Sequence, residues 1–466
     1  MKNTNSQLQT KNSSLMPMIS VTVLFFMWGF ITSLNDILIP YLKGVYSLSH
    51  FQANIVQFAF FGAYFVGAFV FYLFARKGKD PITKMGYKNT LVIGLIIAAV
   101  ACFLFAMTAK ANLDFSVFLL TLFLLGIGLT FLQIAANPFV SIIGDRETAS
   151  SRLNLTQAFN SLGTTLGPAL GGYFVFNYFA KNSTGTDAVF IPYLFLACLL
   201  LAVTVFIYTS KISYTEEKEE SVTQQESIFK KPYVLLGALG IFFYVGAEVS
   251  IGSNFVSYMK EMLNKPEAVA SAFLSYYWGG TMIGRFLGAV SLSNAKATNK
   301  VIYMVLLAVA AFLIIFLVNY SLHGLVFHQV WFFIVFIALN FLFFYLGKGK
   351  PALSLSIFAL VNLGLIISSF IAAPTVAVWC ILAIGLFNSI MWGNVFTLAI
   401  DGLGKQTASA SSILIMMIVG GALLPPLQGL LADAIGIKYS FIIPMISYCY
   451  LCFYGLKGYK IGKSLK

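Results

Sequence analysis

Two carboxylates lie where water should be scarce. Asp36 sits in the apolar run MISVTVLFFMWGFITSLNDILIPYLK, and Glu248 sits in YVGAEVSIGSN. An ionised group at lipid depth costs several kcal/mol unless it faces a polar cavity or a partner, so both are expected to handle a substrate or a coupling ion. Amides recur in the same kind of surroundings. Asn35 precedes Asp36, and Gln133 and Asn137 are four apart on one helical face, just before Pro138. Asn154, Gln157 and Asn160 form a stripe at steps of three, and Asn254, Asn388, Asn394 and Gln428 follow in the second half. Such an array mixes donors with acceptors, which suits a neutral, polyhydroxylated ligand. Trp278 is a candidate to stack on the apolar face of a sugar ring, together with Trp28, Tyr64, Tyr244, Tyr277 and Trp392. Each has a plainer alternative. Buried amides glue helices at about 0.6–2 kcal/mol each, and aromatic rings more often pack or anchor.

The elements that must carry these residues are membrane spans. The 466 residues are 59% hydrophobic and only 10% charged, more apolar surface than a soluble chain can bury. The first 15 residues are polar and no small-residue cleavage pattern follows, so the first apolar run is expected to be a retained span. The net charge of +13 falls mainly in alternate loops, for example Arg76, Lys77, Lys79, Lys84 and Lys88, or Lys230 and Lys231. That alternation places both termini in the cytoplasm and argues against a nucleic-acid partner. The five cysteines lie in apolar runs, and Cys449 with Cys452 lacks further Cys or His ligands, so no metal or cofactor is expected.

Runs of about 20 apolar residues suggest fourteen spans, six before and eight after the charged stretch 211–231. They lie near 18–42, 52–75, 88–109, 115–141, 152–178, 189–209, 233–259, 268–291, 299–319, 327–346, 352–372, 374–400, 406–431 and 437–456. An offset of 217 residues aligns Phe25, Phe26 and Gly29 with Phe242, Phe243 and Gly246, and Tyr41 and Lys43 with Tyr258 and Lys260. Later the offset becomes 257, pairing Gly128 with Gly385 and Pro168 with Pro425. The extra 40 residues are one helical hairpin. The expectation is an all-α polytopic membrane protein with two parallel six-helix repeats, the major-facilitator plan, plus an inserted helix pair near 320–372. Its parts are a tail 1–17, a bundle 18–210, a linker 211–231, a second bundle 232–457 and a tail 458–466. Gly163, Gly167 and Gly171 make a close-packing face. Asp401, Asp433 and Arg285 fall near span ends, where gate or interface charges belong.

Several motifs resemble the fucose–galactose–glucose:proton symporter family of major facilitators. They are LNDIL at Leu34–Leu38, LQIAANPF at Leu132–Phe139, RLNLTQ at Arg152–Gln157 with FNS at Phe159–Ser161, YVGAEVSIGS at Tyr244–Ser253, and IVGGALLPPLQGLLAD at Ile418–Asp433. The resemblance implies that Asp36 couples proton to sugar and that Asn154, Gln157 and Asn160 surround the sugar. Two positions depart from it: Gln133 stands where the fucose-type pattern has Glu, and Trp392-Gly393-Asn394 replaces its Phe-Pro-Thr. Glu248 is the candidate to replace the missing carboxylate.

The expected activity is proton-coupled uptake of a hexose such as glucose, galactose or fucose by a monomer in the cell inner membrane. A sodium-coupled symporter of the same fold is the nearest alternative. An exporter of the same fold would not predict so many buried amides. A membrane-embedded transferase would want a base and nucleophile or an acidic pair, and no DxD or buried His supplies them. No Walker motif is present for ATP hydrolysis.

Overall fold

The computed structural model describes residues 2–76, 81–142, 149–179, 185–210, 230–291, 297–403 and 407–463. Residues 211–229 of the expected linker 211–231 and the side chain of Asn154 lie outside the described residues. Regular structure among those described is helical throughout. The first six long helices are α1 (Lys2–Tyr46), α2 (His50–Arg76), α3 (Pro81–Lys110), α4 (Phe115–Ile142), α5 (Ala149–Gly172) and α6 (Phe190–Thr209). Then come α7 (Pro232–Leu263), α8 (Glu267–Ser291), α9 (Ala297–His323), α10 (Phe327–Val330), α11 (Phe332–Leu346) and α12 (Pro351–Ile371). The chain ends with α13 (Pro374–Asn388), α14 (Met391–Ile400), α15 (Thr407–Met416), α16 (Gly420–Ile435), α17 (Ile437–Ser440) and α18 (Ile442–Leu456).

Among the described residues, eleven helices are long and apolar enough to cross a membrane. In lipid every backbone N–H and C=O must find a partner within the chain, which is why the spans are helices. Three of the fourteen expected runs are helical but fall short of that standard. The run 152–178 carries the amide stripe, and Pro168 is followed by a π-helical stretch, Tyr173–Phe179. The run 268–291 is diluted by Ser271, Ser275 and Arg285. The run 327–346 breaks at Trp331, which leaves α11 only 15 residues long. Boundaries follow local chemistry elsewhere. Proline opens α7, α12 and α13, where its missing N–H has no helical role. Asn264 ends α7 in the left-handed region, at φ 50°.

Contacts divide the chain into two compact units. The first comprises Met1–Thr32, Ala59–Gly163 and Phe179–Ser221; the second comprises Ser33–Phe58, Thr164–Tyr178 and Val222–Lys466. In the first, α3 packs on α4 and α6. Gly94 and Gly128 let the backbones of α3 and α4 meet, and Phe105 stacks on Tyr193 with ring centroids 3.9 Å apart. Gly163 of α5 lies against the backbone of Phe26 in α1, so that a methyl group there would strike a carbonyl. In the second unit Gly420, at the start of α16, lies in the same way against the Phe242 backbone of α7. Gly385 of α13 meets the Tyr277 backbone of α8 likewise.

Small residues govern helix association in lipid, where apolar burial between helices gains little. Gly163→Ala and Gly420→Ala are each expected to cost about 1–3 kcal/mol by overpacking, read as a lower melting temperature in detergent. Gly364→Ala in α12 is the control, because its added carbon meets nothing within 4 Å.

Candidate functional site

The second unit brings the end of α1, the start of α2, α7 and α8 together around one carboxylate. Asp36 is 2% exposed. Its Oδ2 accepts a hydrogen bond from the indole Nε1 of Trp278 at 2.9 Å. Its Oδ1 accepts from Gln57 Nε2 at 3.1 Å and from Ser253 Oγ at 3.2 Å. Gln57 Nε2 also donates to Ser253 Oγ at 2.8 Å, so the donors are tied to each other. A side chain at Gly252 would intrude: its Cβ would lie 3.1 Å from Asp36 Oδ2 and 3.0 Å from Trp278 Cζ2. Glycine therefore makes room for the carboxylate and the indole on α7. Among the described residues, Glu248, also on α7, is the ionisable group that acts on Asp36.

One helical turn from Gln57, Asn54 pairs with Asn254. Asn54 Nδ2 donates to Asn254 Oδ1 at 2.9 Å, and each amide also donates to the carbonyl four residues back. At the start of α2, Asp433 of α16 accepts the backbone N–H groups of His50 and Phe51 at 2.7 and 2.9 Å. A carboxylate there satisfies two of the donors that a helix start leaves open. Glu261 accepts from Lys43 at 3.1 Å and lies 2.9 Å from His50 Nε2.

A second polar cluster is built on α7, α8, α12, α13 and α18. Tyr244 donates to Glu248 Oε1 at 2.7 Å, and Tyr277 donates to the Glu248 carbonyl at 2.9 Å. Asn388 Nδ2 donates to Tyr277 Oη at 3.0 Å, while its Oδ1 accepts from Tyr448 at 2.7 Å and from Asn362 at 3.1 Å. Arg285 supplies the cation in the field of Glu248. Thus Glu248 and Asn388 are joined through Tyr277, next in sequence to Trp278.

The remaining expected residues have other surroundings. Asn394 donates to the Pro351 carbonyl at 3.2 Å, at the start of α12, and Gln428 donates to Ser440 at 3.2 Å. Asn35 is 0% exposed, and neither atom of its amide has a hydrogen-bond partner. In the first unit Gln133 is buried, and its carbonyl accepts from Asn137 Nδ2 at 3.1 Å. Asn160 donates to the Phe25 carbonyl at 2.9 Å, and Gln157 is half-buried. Trp28 Nε1 donates to Tyr64 Oη at 2.9 Å. Among the described residues no three His, Cys, Asp or Glu side chains gather as a metal site.

Three contributors are absent from the sequence reading: Gln57, Ser253 and Asn54. Two signals pointed to them. Asn54 and Gln57 are three apart in an otherwise apolar run, and Ser253 follows Asp36 by 217 residues, the same spacing as Phe25 to Phe242 and Tyr41 to Tyr258.

Residues 21–347 match the profile of the Major Facilitator Superfamily. The chain belongs to that superfamily. A glucose/galactose transporter of Brucella abortus biovar 1 (strain 9-941) is 38% identical over 467 residues, covering 98% of each chain. The L-fucose-proton symporter of Escherichia coli (strain K12) is 25% identical over 461 residues, covering 94% of this chain and 91% of that one. Within the superfamily the chain belongs to the fucose–galactose–glucose:proton symporters, and it is a transporter, not an enzyme. Solved structures share the fold. The transporter FucP in its outward conformation has a TM-score of 0.62 at 23% identity, covering 97% of this chain and 100% of that one. A bacterial homolog of the human lysosomal transporter Spinster, inward-facing and unoccupied, has a TM-score of 0.64 at 13% identity, covering 97% and 98%.

The Asn388 cluster makes a stability prediction for this major facilitator. Asn388→Leu strands Tyr448 Oη and Asn362 Nδ2, at about 1–3 kcal/mol for each stranded group. Asn362→Leu removes one donor only. The expected order of melting temperatures in detergent is wild type, Asn362→Leu, then Asn388→Leu.

Proposed function

We propose that this chain takes up a hexose such as glucose, galactose or fucose together with a proton, in a bacterial inner membrane with both termini in the cytoplasm. The observation that carries the reading is Asp36, a buried carboxylate whose hydrogen-bond donors among the described residues, drawn from three helices, are all neutral. Neutral partners can be rearranged when a proton arrives, which a structural ion pair resists. The name of the 38%-identical relative supports glucose or galactose as cargo, and that of the 25%-identical relative supports the proton.

In this reading Asp36 is the proton carrier, and Glu248, beside Tyr244 and within reach of Asp36, is the second coupling carboxylate. The sugar hydroxyls are met by amides. Asn35 is the most available of them, since a buried amide with no partner gains the most from a ligand. Asn137, Asn154, Gln157 and Asn160 are proposed for the first repeat, with Gln133 in place of the family's Glu. Asn254, Asn388, Asn394 and Gln428 are proposed for the second. Sugar and proton then cross together as the two repeats rock about the site, the alternating access expected of this fold.

The test is external pH in a weakly buffered suspension of expressing cells, with each sugar added in turn. Wild type is expected to alkalinise the medium with a hexose, and D36N is expected to abolish the signal while sugar binding persists. E248Q is expected to reduce the protons moved per labelled sugar. Labelled uptake without alkalinisation, restored by sodium, would replace the proton with that ion. Absence of uptake for every hexose would remove sugar from the proposal.

A further inference from the structure

Trp278 offers two chemistries: a ring face that could stack on a sugar, and an N–H that only donates. The indole is 8% exposed. Its edge lies where a Cβ at Gly252 would come within 3.0 Å, and the Tyr277 ring stands across it at 5.1 Å and 74°. Its N–H is committed to Asp36 Oδ2 at 2.9 Å. We propose that Trp278 is a positioning residue for Asp36, holding the carboxylate as an anion when α8 lies against α1, and is not a stacking platform for the sugar. The proposal rests on Asp36 being the proton carrier.

The two carboxylate oxygens differ in what they can tolerate. Ser253 and Gln57 meet Oδ1, and both can adapt to a proton there. A helical serine hydroxyl can turn its hydrogen to the carbonyl four residues back, here Val249, and accept from the carboxyl instead. The Gln57 amide can turn over and present Oε1, which is buried without a partner. Trp278 has no such freedom, because indole N–H is never an acceptor. Oδ2 therefore stays an acceptor in both states and a proton on Asp36 belongs on Oδ1; the indole bond is stronger to the charged form and so favours the anion.

Asp36 and Gln57 precede the linker, whereas Ser253 and Trp278 follow it. A movement that parts α1 from α8 removes the one donor that cannot adapt, and so favours protonation. Reunion restores that donor and favours release. The other groups facing Asp36 do not supply this switch. From α7 comes the carboxyl group of Glu248, with Arg285 of α8 acting on it. From α2 comes the neutral Gln57, with the Asn54–Asn254 pair one turn away, and nearer the helix ends Lys43, His50, Glu261 and Asp433 bond one another or the start of α2.

Trp278→Phe keeps the ring and removes the N–H. Labelled hexose uptake into proteoliposomes, followed against pH and against sugar concentration, tests it. The half-maximal pH is expected to rise by about one unit, the size of one hydrogen bond to a charged group, with KM for sugar within about twofold. Ser253→Ala is expected to move the midpoint less, since its hydroxyl serves both protonation states. Placed in D36N, Trp278→Phe should no longer change the pH profile. An unchanged midpoint with KM raised severalfold would overturn the proposal and make Trp278 a sugar contact. A larger shift for Ser253→Ala than for Trp278→Phe would also overturn it. If D36N itself retains sugar-driven alkalinisation, the fault lies instead with Asp36 as carrier.

Discussion

A carboxylate at lipid depth has to be hydrogen-bonded, and the second unit is organised around meeting that demand. Two oxygens that only accept are met by three groups that donate, drawn from α2, α7 and α8. Each donor has in turn to be placed. Glycine at 252 clears the volume, the Asn54–Asn254 pair fixes the register of α2 against α7 one turn away, and Asp433 holds the first turn of α2. None of these contacts is strong alone. Together they set which helix faces meet, because a buried amide or carboxylate out of register would be left unpaired.

How much of this could be read from the sequence depended on how far a residue departs from its surroundings. Asp36 stands out because no other acid lies in its apolar run, and the spans stand out because lipid imposes length and apolarity on them. Gln57, Asn54 and Ser253 do not stand out: a neutral polar side chain in a helix is common, and its meaning comes from the helix opposite. That is tertiary information, which a linear pattern does not carry. The count of spans was blurred for the same reason. The amide stripe that marks 152–178 as interesting also lowers its apolarity, so the same residues that draw attention to the segment make it less obvious as a membrane helix.

Glycine packing and amide bonding divide the work between backbone and side chains. Where Gly163 meets Phe26, or Gly385 meets Tyr277, backbones touch and no side chain intervenes. Such crossings are stiff. The segment near 320–372, expected as an insertion, adds stiffness of another kind. Asn340 of α11 donates to the Leu386 carbonyl at 3.2 Å, and Asn362 of α12 donates to Asn388 at 3.1 Å. Both brace α13, the helix that carries Asn388.

That bracing reaches the carboxylate by a short path. Asn388 holds the Tyr277 hydroxyl, and Tyr277 holds the Glu248 carbonyl on α7. Trp278 is the next residue on α8, so its indole cannot drift while Tyr277 is held at ring tip and backbone, the latter pressed on Gly385. A donor to a proton-carrying group is useful only if its position is sharp, since a hydrogen bond weakens steeply with distance and angle. A chain of hydrogen bonds thus runs from α11 and α12 to α13, and from α13 to Tyr277, the residue next to Trp278. If Asp36 carries the proton, as proposed, the two partners that adapt to it are one hydroxyl and one amide, and the indole is the partner that does not.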